Sequence, residues 1–240
     1  MHGKIRRRWK PLFIRLSVPV FLLLAPCSPS RAQDKAEGWP EISTFVNLTP
    51  TTRFYFLATL SSDQDQHSVQ GEFGPNFDFY LRPLLRRRIR NEDPAKNKLF
   101  FFRAGYHYLP SFTHDSPNEH RGILEATARA PLWANTLASF RSRIDLRAVD
   151  GQTFSWRFRE RLTLEKTLTI RKYGFTPYIR AEAYYDRRYG KLSKNALTVG
   201  SSFPVMKHTE FELYYEDQRD TSKSPVFHVR GTGIVLNLYF

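Results

Sequence analysis

The chain has 240 residues, with 37 Lys and Arg against 23 Asp and Glu, a formal charge of +14, and 20 Phe, 12 Tyr and 4 Trp. That length suits one domain or two small ones, and no run of 18 apolar residues offers a membrane-crossing helix. The basic balance does not mark a nucleic-acid binder, because most arginines share their faces with acids instead of forming an open basic surface.

The first residues account for much of the charge. Lys4, Arg6, Arg7, Arg8, Lys10 and Arg15 form a basic head, with no acid before Asp34. A short apolar run over 16–25 follows and is broken by Pro26, Cys27 and Pro29. Ser30-Arg31-Ala32 then gives the small-x-small pattern that a signal peptidase cuts. The order predicts a secretory signal peptide over 1–32, cleaved after Ala32. Seven basic residues leave with it, Arg31 included, and the charge falls from +14 to +7. Cys27, the single cysteine, lies in this leader. A lipid-attachment reading of Leu24-Ala25-Pro26-Cys27 is a poor fit because proline precedes the cysteine. The processed chain then has no disulfide, and its stability comes from elsewhere.

Residues 33–52 form an N-terminal segment in which 41–48 is a possible extra strand. From 53 to 240 the chain alternates. Apolar residues at every second position predict ten strands. They are 53–61 (Phe54, Phe56, Ala58, Leu60), 71–83 (Phe73, Phe77, Phe79, Leu81), 99–109 (Phe100, Phe102, Ala104, Tyr106, Tyr108) and 120–131 (Leu124, Ala126, Ala128, Ala130). Then come 137–148 (Ala138, Phe140, Ile144, Leu146), 154–166, 177–187 (Ile179, Ala181, Ala183, Tyr185) and 195–204 (Leu197, Val199, Phe203). Last are 209–218 (Phe211, Leu213, Tyr215) and 227–240 (Ile234, Leu236, Leu238, Phe240). The stretch 154–166 is the clearest: Phe154, Trp156, Phe158, Leu162 and Leu164 fall on one face, Arg157, Arg159 and Arg161 on the other. Glu160 interrupts the apolar row.

Strands of about ten residues are the length that crosses a bilayer when tilted. A soluble sandwich also alternates, with its apolar face packed in a core. Large aromatics near strand ends, charged opposite faces and the leader favour a closed antiparallel transmembrane β-barrel of 10–12 strands. An even count is expected, so 41–48 stands outside the cylinder or a strand is uncounted. The long polar connections, 61–70, 110–120, 187–195 and 217–225, suit the extracellular side; 132–136 and 203–208 suit periplasmic turns. The stretch 86–98 is long for its side and reads as a strand extension whose arginines meet anionic headgroups.

In such a barrel the charged rows point inward. They comprise Arg121, Glu125 and Arg129; Arg141, Arg143, Asp145 and Arg147; and Arg157, Arg159 and Arg161. These three strands make a basic wall. Arg180 and Glu182, with Glu210, Glu212 and Glu216, make an acidic wall that also carries Tyr184 and Tyr214; Glu72, Asp78, Arg82 and Arg103 belong to earlier strands. Opposite charges from facing walls are expected to meet as a polar plug held by bidentate pairs. The first reading is a structural or plugged lumen. The sharper one is a constriction or site for anions.

The chain ends Leu236-Asn237-Leu238-Tyr239-Phe240. This resembles the terminal signature of bacterial outer-membrane barrels, in which the insertion machinery reads a final Phe; Leu236, Leu238 and Phe240 carry it. More widely, RFRERLTLEK, TPYIRAEAYYDRRY and FELYYEDQRDTSKSPVFHVRGTGIVLNLYF resemble an uncharacterised bacterial outer-membrane barrel family, a domain of unknown function. The likeness covers 39–240 and is strongest after 154. It implies a single barrel in the outer membrane of a Gram-negative bacterium, in contact with lipid including anionic lipopolysaccharide. It implies no catalytic residues.

An outer-membrane lipid-modifying enzyme is the rival class. A hydrolase needs Ser beside His, and only His107 and Ser111 come near, with Pro110 between them. His114-Asp115 and Glu119-His120 are the one arrangement with metal-ligand character; no cofactor or metal is expected. Gly231 and Gly233 precede no helix and are not a phosphate loop; they relieve crowding in a bent strand. The Asn47-Leu48-Thr49 sequon is read as accidental, and the oligomeric state is left open.

Overall fold

The structure is a computed structural model that describes residues 34–63, 68–84, 93–113, 117–171, 173–222 and 224–240. The leader expected over 1–32, with its cleavage at Ala32, lies outside the described residues, as do Arg86 to Arg90. Twelve strands follow in chain order. They are β1 Asp34–Thr49, β2 Thr52–Asp63, β3 Ser68–Leu84, β4 Lys98–Leu109, β5 Glu119–Pro131 and β6 Thr136–Val149. The second half holds β7 Ser155–Lys166, β8 Leu168–Ile170, β9 Tyr173–Asp186, β10 Lys191–Met206, β11 Thr209–Asp220 and β12 Phe227–Tyr239. Period-two alternation located ten of these, each within a few residues of its ends.

Eleven strands close a cylinder in the order β10-β11-β12-β1-β2-β3-β4-β5-β6-β7-β9, and β9 returns to β10. The short β8 folds back on the start of β9, with Leu168 opposite Phe175. The expectation of a purely antiparallel, even-numbered ring is corrected at one junction. Residues 41–48 lie neither outside the cylinder nor beside an uncounted strand; they are part of β1, which belongs to the wall. Successive strands run antiparallel, so directions alternate around the ring. An odd number leaves two neighbours pointing the same way, and β1 pairs in parallel with β12 from Asp34↔His228 to Phe45↔Tyr239. The seam is tied at its far end, where Phe240 N donates to Phe45 O at 2.8 Å and Asn47 N to Phe240 O at 2.9 Å.

The connections sort by end. The β1–β2, β5–β6 and β10–β11 turns are short and share one rim with Phe240 and the β8 arm. At β5–β6, Ala134 and Asn135 both take positive φ, 53° and 60°, the geometry of a two-residue hairpin turn whose twist matches the strands. The other rim carries the connections after β2, β4, β6, β9 and β11, four to nine residues long, and the start of β1. The β3–β4 connection, on the short-turn rim, departs from expectation. Residues 85–92 lie outside the described residues; in the described part, where an extended strand was expected, Asp93 caps a 3-10 turn, Pro94–Asn97, and accepts from Ala95 N. Asp93 and Ala95 are buried.

The polarity of the cross-section is inverted relative to a soluble fold. Ser43, Asn76, Asp78, Asp145 and Thr198 are at most 1 % exposed, while Phe77, Phe79, Phe102, Leu124, Leu197 and Ile234 stand 44–52 % exposed. The outward side chains pair across strands, as at Phe79↔Phe102 and Leu81↔Phe100, and Phe54 meets Phe77 edge-on at 5.5 Å. Among the described residues two small apolar clusters lie inside, Tyr80 with Ala95 and Phe101, and Leu137 with Leu99. A closed ring leaves no unpaired strand edge, so the backbone needs no apolar core to satisfy it.

The two glycines of β12 have a packing role. A Cβ on Gly231 would press into the Trp39 ring and come within 2.5 Å of the Glu37 carbonyl oxygen, and one on Gly233 would meet the Tyr214 ring. Gly231→Val is expected to cost about 1–3 kcal/mol, the range for overpacking. It should lower the urea midpoint of the purified protein, whereas Thr232→Val, on the exposed face one residue along, leaves it unchanged.

Candidate functional site

The inward rows of β5, β6, β7 and β9 build a guanidinium wall around two carboxylates. Asp145 and Arg143 are two apart on the inward row of β6, and Arg157 lies directly opposite Asp145 on β7. Arg143 Nε sits 2.6 Å from Asp145 Oδ1; Arg157 Nη2 and Arg159 Nη1 reach Asp145 Oδ2 at 3.0 and 3.7 Å. Glu182 faces Arg161 across β7–β9. It takes Arg141 Nη2 and Arg159 Nε on Oε1, each at 2.8 Å, and Arg161 Nε on Oε2 at 2.7 Å. Arg159 thus bridges both nodes, with its guanidinium 4.6 Å from the Tyr184 ring centre. The arginines at 157, 159 and 161 recur at every second position because each must stand on the inward face to reach one of these two acids.

Two further nodes continue the wall toward the long-connection rim. Glu119 receives Arg147 through Nε and Nη2 at 2.8 and 2.7 Å and Arg121 Nε at 2.8 Å, and Arg147 Nη1 also reaches Asp186 at 3.0 Å. Glu72 accepts Arg121 and the His107 ring. The pairs form along the wall, within one strand, between adjacent strands or between strands two apart: Arg141 and Arg147 of β6 reach Glu182 and Asp186 of β9, and Arg121 of β5 reaches Glu72 of β3. Glu182 and Asp186 stand on the wall expected to be acidic, whereas Asp145, which holds Arg143 and Arg157, stands on the basic wall itself.

A cavity of about 640 Å³ remains between the walls. Its far side is built by β1, the nearly diametric partner of β6 and β7 in an eleven-membered ring, together with β11. Glu41 accepts from Ser43 Oγ at 2.7 Å, Glu216 from Thr198 Oγ1 at 2.8 Å, and Glu212 from the Tyr178 hydroxyl. Trp39 and Tyr214 stack beside them at 6.3 Å. A second cavity of about 230 Å³ lies toward the short-turn rim. Arg103, Arg141, Arg161, Arg180, Glu212 and Asn237 line both and form the partition. Arg180 reaches Glu212 at 3.8 Å.

The short-turn end is stopped by the β3–β4 connection. Arg53 reaches Asp78 Oδ2 at 2.7 Å and Asp93 Oδ1 at 2.8 Å, while Arg103 holds the other Asp78 oxygen at 2.6 Å. Burial pushes the Asp93 carboxyl up, but Arg53, Arg129 and Lys96 together hold it below the usual carboxylate range. Arg129 Nη1 donates to Ala95 O at 2.7 Å and Lys96 pairs with Glu165 at 3.1 Å, so the 3-10 turn is bound to β2, β5 and β7. Glu210, near this floor, takes Asn237 Nδ2 at 3.5 Å and the Tyr239 hydroxyl at 3.4 Å.

Of the charged residues read from the sequence, Arg121, Arg141, Arg143, Arg157, Arg159, Arg161, Arg180, Glu212 and Glu216 line the larger cavity, Glu125, Arg129 and Glu210 the smaller, and Asp145, Arg147 and Glu182 stand in the ion-pair nodes of the wall. The side chain of Arg82 is not among those described. The alternation missed Arg53, Glu119 and the Glu37-Trp39-Glu41-Ser43 row. Arg53 and Glu119 stand at the first turns of their strands, yet each is in phase with the inward residues after it, Tyr55 and Arg121. Asp93 followed by Pro94 is a helix-start signature that the long connection concealed.

Among the described residues, the arrangements with catalytic or metal character do not assemble. The His107 ring nitrogens are occupied by Glu72 and Asn76, and Ser111 Oγ donates to Thr113 O at 2.8 Å. Glu119 points inward and His120 outward, where it meets the Tyr106 hydroxyl, so the two do not converge. His114 and Asp115 lie outside the described residues. Glu160, the break in the apolar row, faces outward and accepts Ser142 Oγ from the neighbouring strand at 2.9 Å.

A closed, charge-lined β-barrel is the class this geometry defines. Residues 65–227 match the family described as "Protein of unknown function (DUF2490)", and the chain belongs to that family. The matched span stops at the first residue of β12, so β1 and the parallel seam lie beyond it. No curated protein and no solved structure matches the chain.

Removing a node carboxylate strands several buried charges, whereas removing one of its arginines leaves the others in place. Asp145→Ala is expected to cost about 3–5 kcal/mol, and Arg161→Ala about 1–3 kcal/mol because Glu182 keeps Arg141 and Arg159. Urea unfolding followed by tryptophan fluorescence should reproduce that order.

Proposed function

We propose that the protein is an integral outer-membrane barrel of a Gram-negative bacterium without catalytic activity, its lumen structural and stopped at the periplasmic end. The observation that carries this reading is the inverted polarity. A cylinder with Asp78 and Asp145 sealed inside and Phe79, Phe102 and Leu124 turned out is stable only where acyl chains surround it. Several features support it independently. The first 32 residues have the order of a cleaved leader. The outward row of β12 ends on Leu236, Leu238 and Phe240, the form read by barrel-insertion machinery. The two-residue turns β1–β2 and β10–β11 share one rim, and the connections of the other run from four to nine residues, which suits a periplasmic and an extracellular side. Ser142 supplies Glu160 with a hydrogen bond, which eases the burden of a carboxylate on the lipid face. Lipid, including anionic lipopolysaccharide, is then the partner of the outer surface.

Subcellular fractionation and lipid quenching test this. The protein should sediment with the outer membrane and resist alkaline extraction. Brominated acyl chains should quench Trp156, which faces out, and spare Trp39, which lines the lumen; each is followed in a variant with the other tryptophans changed to Phe. Recovery of processed protein as a soluble periplasmic species overturns the reading.

The stopped end makes a second expectation. In planar bilayers the wild-type barrel should pass no steady current, and Arg53→Ala with Asp93→Ala, Lys96→Ala and Arg129→Ala, which removes the ties of the 3-10 turn to β2, β5 and β7, should open a conducting state. A large steady conductance in the wild type overturns the plugged lumen.

A further inference from the structure

The charges of the lumen are separated across the 640 Å³ cavity, not distributed evenly around it. On the β6–β7 side the cavity is lined by five guanidiniums, those of Arg141, Arg143, Arg157, Arg159 and Arg161. The carboxylates that hold them, Asp145, Glu182 and Glu125, are absent from the lining and stand behind the arginines. Five positive charges against three negative leave this wall electropositive at its surface. Arg143 Nη2 and Arg141 Nε, moreover, have no hydrogen-bond partner among the described residues. The opposite side is the reverse. Glu41, Glu212 and Glu216 line it with Arg180 as the nearest cation, 3.8 Å from Glu212. Glu41 and Glu216 have no ion-pair partner among the described residues; hydroxyl groups hold them. Trp39 and Tyr214 add an aromatic face beside these acids. Neither wall needs this division for stability, since buried charges are held most cheaply when each is matched locally.

We infer that the lumen is a binding site for a small dipolar solute, with its phosphate or carboxylate group on the Arg141–Arg143 side and its ammonium group on the Glu41–Glu216 side beside the Trp39 ring. A guanidinium fork suits an oxyanion, and a carboxylate beside an aromatic ring suits an ammonium. The cavity lining includes Glu37, Ser61, Gln70 and Gln218 near the long-connection rim, so the solute enters from that end, away from the stopped floor. The site extends the reading of a plugged lumen but requires only the closed cylinder, not the bilayer. Failure to bind and failure to reach the membrane are therefore separate results.

Titration calorimetry on the purified protein in detergent at low ionic strength tests the site, with O-phosphoethanolamine, inorganic phosphate and ethanolamine as probes. O-phosphoethanolamine should saturate a single site, phosphate should bind more weakly, and ethanolamine should give no saturable heat. Arg141→Gln with Arg143→Gln should weaken both phosphate probes about tenfold. The fold is expected to survive, because Glu182 keeps Arg159 and Arg161 and Asp145 keeps Arg157 and Arg159. Heat-modifiable gel migration checks this, and each single substitution provides a milder variant. Glu41→Gln with Glu216→Gln should weaken O-phosphoethanolamine about threefold and leave phosphate no weaker. Dihexanoyl phosphatidylethanolamine distinguishes the source of the group: tighter binding than O-phosphoethanolamine assigns a lipid headgroup, weaker binding a free solute, and both uphold the site. The inference is overturned if no probe saturates, if folded arginine variants bind as the wild type does, or if ethanolamine binds as well as O-phosphoethanolamine.

Discussion

Carboxylates shared among several guanidiniums govern this molecule. Asp145 and Glu182 are each approached by three arginines, and Arg159 belongs to both sets. A charge taken out of water is tolerable only with good geometry and further hydrogen bonds. Here the sheet register supplies the geometry: cross-strand neighbours on one face stand close enough for a guanidinium to meet a carboxylate without spanning the lumen. The wall therefore fixes the network, and the network in turn fixes which face of each strand looks inward. A slip of one residue would turn all three arginines of β7 outward.

The same constraint explains what the sequence reveals. Alternation is a local property, so Phe158, Leu162 and Leu164 could be placed outside and Arg157, Arg159 and Arg161 inside before any contact was known. Strand length and the sign of each face were legible for the same reason. The partners of those arginines were not, because partner choice depends on register between strands, and a single chain does not state it. Hence Asp145, counted among the arginines of its own wall, was not recognised as the partner of Arg143 and Arg157, and the acidic wall was not resolved into Glu182 as the acid that takes Arg141, Arg159 and Arg161. The seam was hidden by a subtler cause. Residues 34–49 contain Pro40 and Gly38, which weaken a strand reading, and parity was assumed to be even. The Asp93–Asn97 connection folds inward because Arg53, on a different strand, binds Asp93, and no local pattern announces such a distant pairing.

Stability and vacancy are combined in this lumen in an unusual proportion. Arg53, Asp78, Arg103 and Asp93 saturate one another at the short-turn floor, and Glu119 with Arg121 and Arg147 does so near the opposite rim. Between them Glu41 and Glu216 are answered by hydroxyl groups instead of arginines, and Glu212 by the Tyr178 phenol with Arg180 at 3.8 Å. The matched ends make the cylinder rigid, and the unmatched middle keeps space and potential across it. Filling alone would have been served by the same matching throughout.

The parallel seam has a consequence for the chain's path. Because β1 and β12 run the same way, the polypeptide joins the wall at one rim and leaves it at the other. A hairpin count that returned to its starting side would put both tails together. Here a reporter grafted ahead of Asp34 and another beyond Phe240 would sit at opposite ends of the cylinder. The first strand must wait for the last, and the ring can shut only after the final strand has been made.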